Sequence, residues 1–302
     1  MNVLWFFPTP GDERYLGGVG SRAMDFGYLR TLATALDTLG YHGALLPTGI
    51  GCEDAWVAAS ALVGVTRHLR YLVAVRPSIM QPSLAARMAA TFDRLSEGRL
   101  LINVVTGDGG AKAAAMDGIF ADHDTRYAIT DEFLTIFRSL LETGRADFHG
   151  EHLSIEGGVQ LGETYAKPYP PIWFGGSSDA GIAVAAKHAD VYLTWGEPPA
   201  QVAEKLDRVR AAAENIGRDP QTLRFGIRLN VVVRESEGEA WDAANRLISH
   251  LSDEQIATAQ ARLALSDSVG QKRMRELHGG KRENLLVSPN LWAGLGLVRP
   301  GA

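Results

Sequence analysis

Two apolar rhythms alternate along this chain. Short apolar runs at residues 3–7, 44–47, 69–76 and 100–105 are each followed by a longer stretch, at 22–39, 54–65, 84–95 and 127–141, in which apolar residues fall at helical spacing. In the first of these stretches Leu29, Leu32, Ala33, Leu36 and Leu39 share one face, and Gly40 supplies the stop. The short runs read as strands. Poor alternation within 69–76 predicts a strand covered on both sides. After an interruption at 147–161, where Phe148 and Leu153 to Ile155 predict a hairpin outside the repeat, the order resumes with strand 172–174, helix 181–186, strand 191–194, helix 202–216 and strand 225–233. Seven strands that alternate with helices predict a parallel sheet with helical crossovers, and that many units in one domain predict a TIM-type (β/α) barrel.

From Glu237 onwards the rhythm changes. Residues 240–251 predict one more helix, whereas 252–286 are polar and interrupted by Gly270, Gly279 and Gly280. A segment of that kind above a barrel predicts a mobile lid, or else a plain surface helical hairpin. No eighth strand or final helix follows. The expectation is therefore one domain over 1–302, an α/β fold of (β/α)8 type that lacks its eighth strand and last helix. Such open edges invite pairing with another chain.

Composition narrows the picture. With 302 residues, 46% of them hydrophobic, the chain can bury one core of barrel size. A net charge of −5 without a basic run argues against nucleic acid and against an anionic membrane as partners. The opening Met-Asn-Val-Leu-Trp-Phe-Phe lacks a charged leader start, and no apolar run is long enough for a bilayer, so a cytoplasmic protein is expected. The single cysteine, Cys52, excludes an internal disulfide framework, and the eight scattered histidines offer no paired ligands. No metal is expected.

In a barrel the chemistry sits at the C-terminal ends of the strands. Those ends carry Thr48-Gly49 and Cys52-Glu53-Asp54, then Arg76, Asn103 to Gly107, Gly175-Gly176-Ser177-Ser178, Trp195-Gly196-Glu197 and Arg228, with His123 to Tyr127 in a polar loop that leads into a helix. The stretch from Pro170 to Ser178 is the most informative of them. A strand stops at two glycines and two serines where a helix begins, and free backbone N–H groups with a helix dipole favour an anion there; an ordinary N-cap explains the serines equally well. The inventory holds hydrogen-bonding groups and aromatic walls but neither paired carboxylates nor a nucleophile with its base. It suits a planar phosphorylated cofactor better than hydrolysis. Each member also has a duller reading: Cys52 as a small buried residue, Trp195 as packing, Arg228 as the partner of a buried carboxylate such as Asp190, and His123 and Tyr127 as loop supports.

Taken together, these stretches resemble the two-component alkanesulfonate monooxygenases of the bacterial luciferase-like flavin superfamily. The matching residues are Phe6-Phe7-Pro8-Thr9, Pro47-Thr48-Gly49, Cys52 to Trp56, Arg76-Pro77-Ser78, Asn103 to Gly107, Asp122-His123 with Arg126-Tyr127, Tyr169 to Ser178, Tyr192 to Pro199, Gly226 to Leu229 and Pro289 to Gly294. The resemblance implies a (β/α)8 barrel that takes reduced FMN from a separate NAD(P)H-dependent reductase. With O2 it would convert an alkanesulfonate to an aldehyde and sulfite. It further implies that Ser177 and Ser178 hold the FMN phosphate with help from Tyr127 and His123, that Asn103 reaches the flavin or its ribityl chain, and that Cys52 lies near the ring system. Arg228 and Arg299 would bind the sulfonate or the activated oxygen, Trp195 would wall the substrate, and the protein would form homo-oligomers.

Four departures stand out. Pro10 and Asn230 replace histidines of the family, residues 16–21 lack its acidic residue, and the family's last strand, with a tyrosine and a histidine, lies beyond Ala302. Asparagine donates a hydrogen bond but does not exchange a proton near neutrality as histidine does. A flavin-binding chain without turnover is the alternative expectation.

Overall fold

The computed structural model describes residues 1–107 and 114–301. A seven-stranded parallel sheet organises it. In chain order its strands are β1 (Leu4–Phe6), β4 (Gly43–Leu46), β5 (Arg70–Val75), β6 (Leu100–Val104), β9 (Ile172–Phe174), β10 (Val191–Trp195) and β11 (Arg224–Arg228), and this is also their order in space. Three small antiparallel pairs lie outside it: β2 (Asp12–Glu13) with β3 (Ser21–Arg22), the hairpin β7 (Arg145–His149) with β8 (Ser154–Val159), and β12 (Leu286–Ser288) with β13 (Leu291–Trp292).

The crossovers are helical: α1 (Phe26–Thr38), α2 (Ala55–Val63), α3 (Pro82–Leu95), α4 (His123–Thr143), α5 (Asp179–His188) and α6 (Pro199–Asn215). Local chemistry fixes where several begin. The carboxylates of Asp25, Asp54 and Asp122 accept from the backbone N–H of Tyr28, Val57 and Thr125, and the Ser178 hydroxyl accepts from Gly181. Gly144, with φ of 76°, ends α4 in the left-handed region that glycine adopts without strain.

Alternation divides each central strand between two cores. Outward residues such as Tyr71, Val73, Ile102, Phe174 and Tyr192 pack under the helices with Phe133, Phe137 and the alanines of α3. Inward residues Leu72, Leu101, Trp173 and Val191 form a second cluster with Leu4, Leu45 and Leu193, the filling of the curled sheet. The curl brings the two outer strands together at their C-terminal ends, where the Arg228 guanidinium lies 5.1 Å from the Phe6 ring centroid. β1 and β11 nevertheless share no ladder among the described residues.

The predicted architecture is present, with three shifts. Strand 225–233 ends at Arg228, and Leu229, Val231 and Val233 are exposed. Arg22 belongs to β3, where it pairs with Asp12, and not to the first helix. The helix expected at 240–251 spans Glu237–Leu247 (α7) and is followed by α8 (Asp253–Leu263) and α9 (Val269–His278), with a small core that includes Leu16, Ile248, Ile256 and Leu297. No helix among the described residues is long and apolar enough to cross a membrane.

Candidate functional site

Register fixes which residues face the mouth. Within β6, Asn103 follows Leu101 on the inner face; within β10, Trp195 follows Leu193, and β11 sets Arg228 directly beside Trp195. Phe6, Asn103, Trp195 and Arg228 therefore share the inside of the sheet at its C-terminal end.

Beside them lies a compact cradle at the turn from β9 to α5. Backbones approach closely here: a Cβ on Gly176 would stand 3.0 Å from the Gly181 Cα and 3.3 Å from the Tyr127 hydroxyl, so a side chain would press both neighbours outward. The Tyr127 ring packs edge-on to Phe174 and lies 4.8 Å from the His123 ring, centroid to centroid. His123 Nδ1 lies 2.6 Å from Asp124. Tyr192 locks the turn from below by donating its hydroxyl to the Gly176 carbonyl at 2.6 Å. Burial pushes the Tyr192 phenol well above its usual range and keeps it a donor.

A buried charge cluster underlies the cradle. Lys205, on α6, lies 2.6 Å from Glu197 Oε1, an ionic contact rather than a well-aligned hydrogen bond, and its ammonium donates to Ser177 Oγ at 3.2 Å. Both side chains are almost wholly buried, at 2% and 0% exposure. The other Glu197 oxygen accepts from Arg273 of α9 at 2.9 Å. Burial lowers the Lys205 pKa against the opposing pull of Glu197; burial acts the same way on Arg273, but the hydrogen bonds it donates to Glu197 and Glu204 outweigh it and raise that pKa. Arg208 adds a second cation, bound to Asp179 and reaching the Ser177 carbonyl at 3.4 Å.

Helix α9 closes over this arrangement. A Cβ on Gly270 would meet Trp195 at 3.2 Å and Ser177 Oγ at 3.4 Å, and one on Gly301 would meet Trp195 at 3.0 Å and an Arg228 nitrogen at 3.4 Å. Trp195 thus stands between the cradle and Arg228. Two further contacts pin the cover: Arg126 to Asp267 at 2.7 Å, and the Gly301 N–H to the buried Gln271 side chain at 2.9 Å.

The predicted residues divide accordingly. Ser177, Ser178, Tyr127 and His123 come together, and Asn103, Trp195 and Arg228 face the same mouth. Cys52 lies in the loop after β4, its backbone N–H bonded to the Gly49 carbonyl. Arg299 is exposed and pairs with Glu13, whose other oxygen accepts from the Gly18 N–H. Glu13 also supplies an acidic residue just ahead of residues 16–21, where none stands. Asp190 accepts from the Ile172 N–H, which accounts for its carboxylate without Arg228. Sequence reading missed Lys205 and Tyr192. Lys205 left a signal, since it lies on one helical stripe with the buried Val209 and Ala213. No group of three potential metal ligands occurs among the described residues.

Solved structures share this fold. A riboflavin lyase, solved with a modified FMN and riboflavin, superposes with a TM-score of 0.78 at 20% identity, over 98% of this chain and 78% of its own. A long-chain alkane monooxygenase gives 0.76 at 22% identity, over 87% and 71%. An EDTA monooxygenase from Chelativorans sp. BNC1 gives 0.73 at 19%, over 86% and 69%. The family model described as luciferase-like monooxygenase matches residues 1–297. With nearly its whole length matched, this chain belongs to the luciferase-like monooxygenase family.

Proposed function

We propose that the chain is a flavin monooxygenase that uses reduced FMN and O2 to desulfonate alkanesulfonates to aldehyde and sulfite. The observation that carries the reading is the position of Trp195, with the cradle of Ser177 on one side and the Arg228 guanidinium on the other. The cradle suits a phosphate: it combines a close glycine pair, two serines at a helix start and two neighbouring cations, Lys205 and Arg208. Ser177, Ser178 and Tyr127 would hold that group, and Asn103 would meet the rest of the cofactor on the inner face. Bound reduced flavin supplies the electrons that activate dioxygen.

Arg228 presents a planar fork of donors that matches a tetrahedral anionic headgroup such as a sulfonate. Phe6 and Trp195 flank it, and Gly301 lies against both Trp195 and the Arg228 guanidinium. A cytoplasmic setting, a separate NAD(P)H-dependent FMN reductase and assembly as a homo-oligomer belong to the same proposal. The test combines the protein with enzymatically reduced FMN, O2 and a medium-chain alkanesulfonate. Sulfite above a no-protein control is the expected result; its absence would remove the desulfonation reading.

A second reading, flavin binding without turnover, draws on Pro10 and Asn230, neither of which can exchange a proton as histidine does. It predicts quenching of flavin fluorescence with no sulfite.

A further inference from the structure

We propose that Lys205 is a positioning residue of the phosphate cradle, holding the Ser177 hydroxyl as a donor toward the ligand and so setting a preference for FMN over riboflavin. The inference rests on the flavin reading above. A hydroxyl has one proton to donate and two lone pairs to accept with. Among the described residues Ser177 Oγ makes one hydrogen bond, and in it Lys205 is the donor at 3.2 Å. An ammonium has no lone pair to offer in return, so the Ser177 proton must point elsewhere, toward the cradle.

The lysine itself is costly to keep. Desolvating an ammonium and a carboxylate is often no better for stability than apolar packing of the same volume. Here the ammonium interrupts the buried stripe of Val209 and Ala213, yet it is retained, with Glu197 and Arg273 holding it in place. Glu197 is itself shared between Lys205 and Arg273, so the ammonium cannot swing away without leaving a buried carboxylate with one partner. The geometry gives Lys205 two effects on a phosphate: a fixed Ser177 donor and a positive charge just behind it.

Equilibrium titrations of oxidised FMN and of riboflavin, followed by flavin fluorescence, test this on the wild type, Ser177→Ala, and the charge-neutral pair Lys205→Met with Glu197→Gln. Thermal melting checks that each variant is folded. The wild type should prefer FMN. The pair should lose about 10- to 100-fold in FMN affinity, the range of a charge-assisted hydrogen bond, with riboflavin affinity unchanged. Adding Ser177→Ala to the pair should cost little more than the pair alone, because the pair has already released the Ser177 hydroxyl from its fixed orientation. If the pair does not fold, Ser177→Ala alone decides: an unchanged FMN-to-riboflavin ratio overturns the proposal. A folded pair that keeps the wild-type ratio overturns it too while leaving the flavin reading intact. A wild type that binds neither flavin removes both.

Discussion

The two ends of the proposed site are built differently. The cradle end lies where the sheet is flanked on both sides, and its polar groups are buried or half-buried and mutually bonded: Tyr192 to Gly176, Lys205 to Ser177 and Glu197, Arg273 to Glu197. The Arg228 end lies where β11 meets β1 as two strand edges, and both Phe6 and Arg228 are exposed. One end is rigid because its polar atoms have nowhere else to go once desolvated. The other is left adaptable. That division suits a constant phosphate held at one end and a variable substrate tail at the other.

If the contrast is real, its largest consequence is at Glu197. Glu197→Ala strands Lys205 as a buried charge and should cost about 3–5 kcal/mol in chemical denaturation; a loss below about 1 kcal/mol would mean that the cluster is not rigid. Next comes Gly176→Ala, whose new methyl would press on the Gly181 backbone and Tyr127, for about 1–3 kcal/mol and weaker FMN binding in the same titration. At the open end Arg228→Lys should change stability by less than about 0.5 kcal/mol. It should nevertheless raise the KM for a sulfonate by roughly 10-fold, because the fork is lost while the charge remains. A stability loss there as large as at Glu197 would erase the contrast.

A further effect lies outside the site. Burial works against ionisation of Asp131, but hydrogen bonds from His188 and Lys187 outweigh it and bring the carboxyl down to about 2. Its folded-state pKa is below the unfolded one, near 3.9. The stabilisation is therefore present above about pH 4 and fades as pH falls toward 2. Asp131→Asn should flatten that part of a stability-against-pH curve; with the side chain 34% exposed, screening holds the effect to roughly 1 kcal/mol.

The central strands were readable because both of their faces are covered, so that 71–75 stands out as an unbroken apolar run and 100–105 as one broken only by Asn103. Helix starts were readable where a cap carries its own chemistry, as at Asp54 and Ser178. The last strand was read too long because Leu229 and Val231 to Val233 extend its apolar run, yet among the described residues no neighbour pairs with them beyond Arg228. Among the site residues Ser177 and Ser178 were visible from the local strand-turn-helix pattern. Lys205 was not, because beside Glu204 a lysine reads as solvated helix surface, and what buries it is Glu197 at the end of another element. The Arg299 to Glu13 pair was equally hidden, since the two residues are 286 positions apart.

The most direct measurement of the central claim is a crystal structure of this chain grown with FMN. The account predicts the phosphate within hydrogen-bond reach of Ser177 and Ser178 and close to Tyr127, with the ring directed toward Trp195 and Arg228. Flavin bound elsewhere, or a phosphate turned onto Arg228 with the Ser177 cradle holding only solvent, would contradict it.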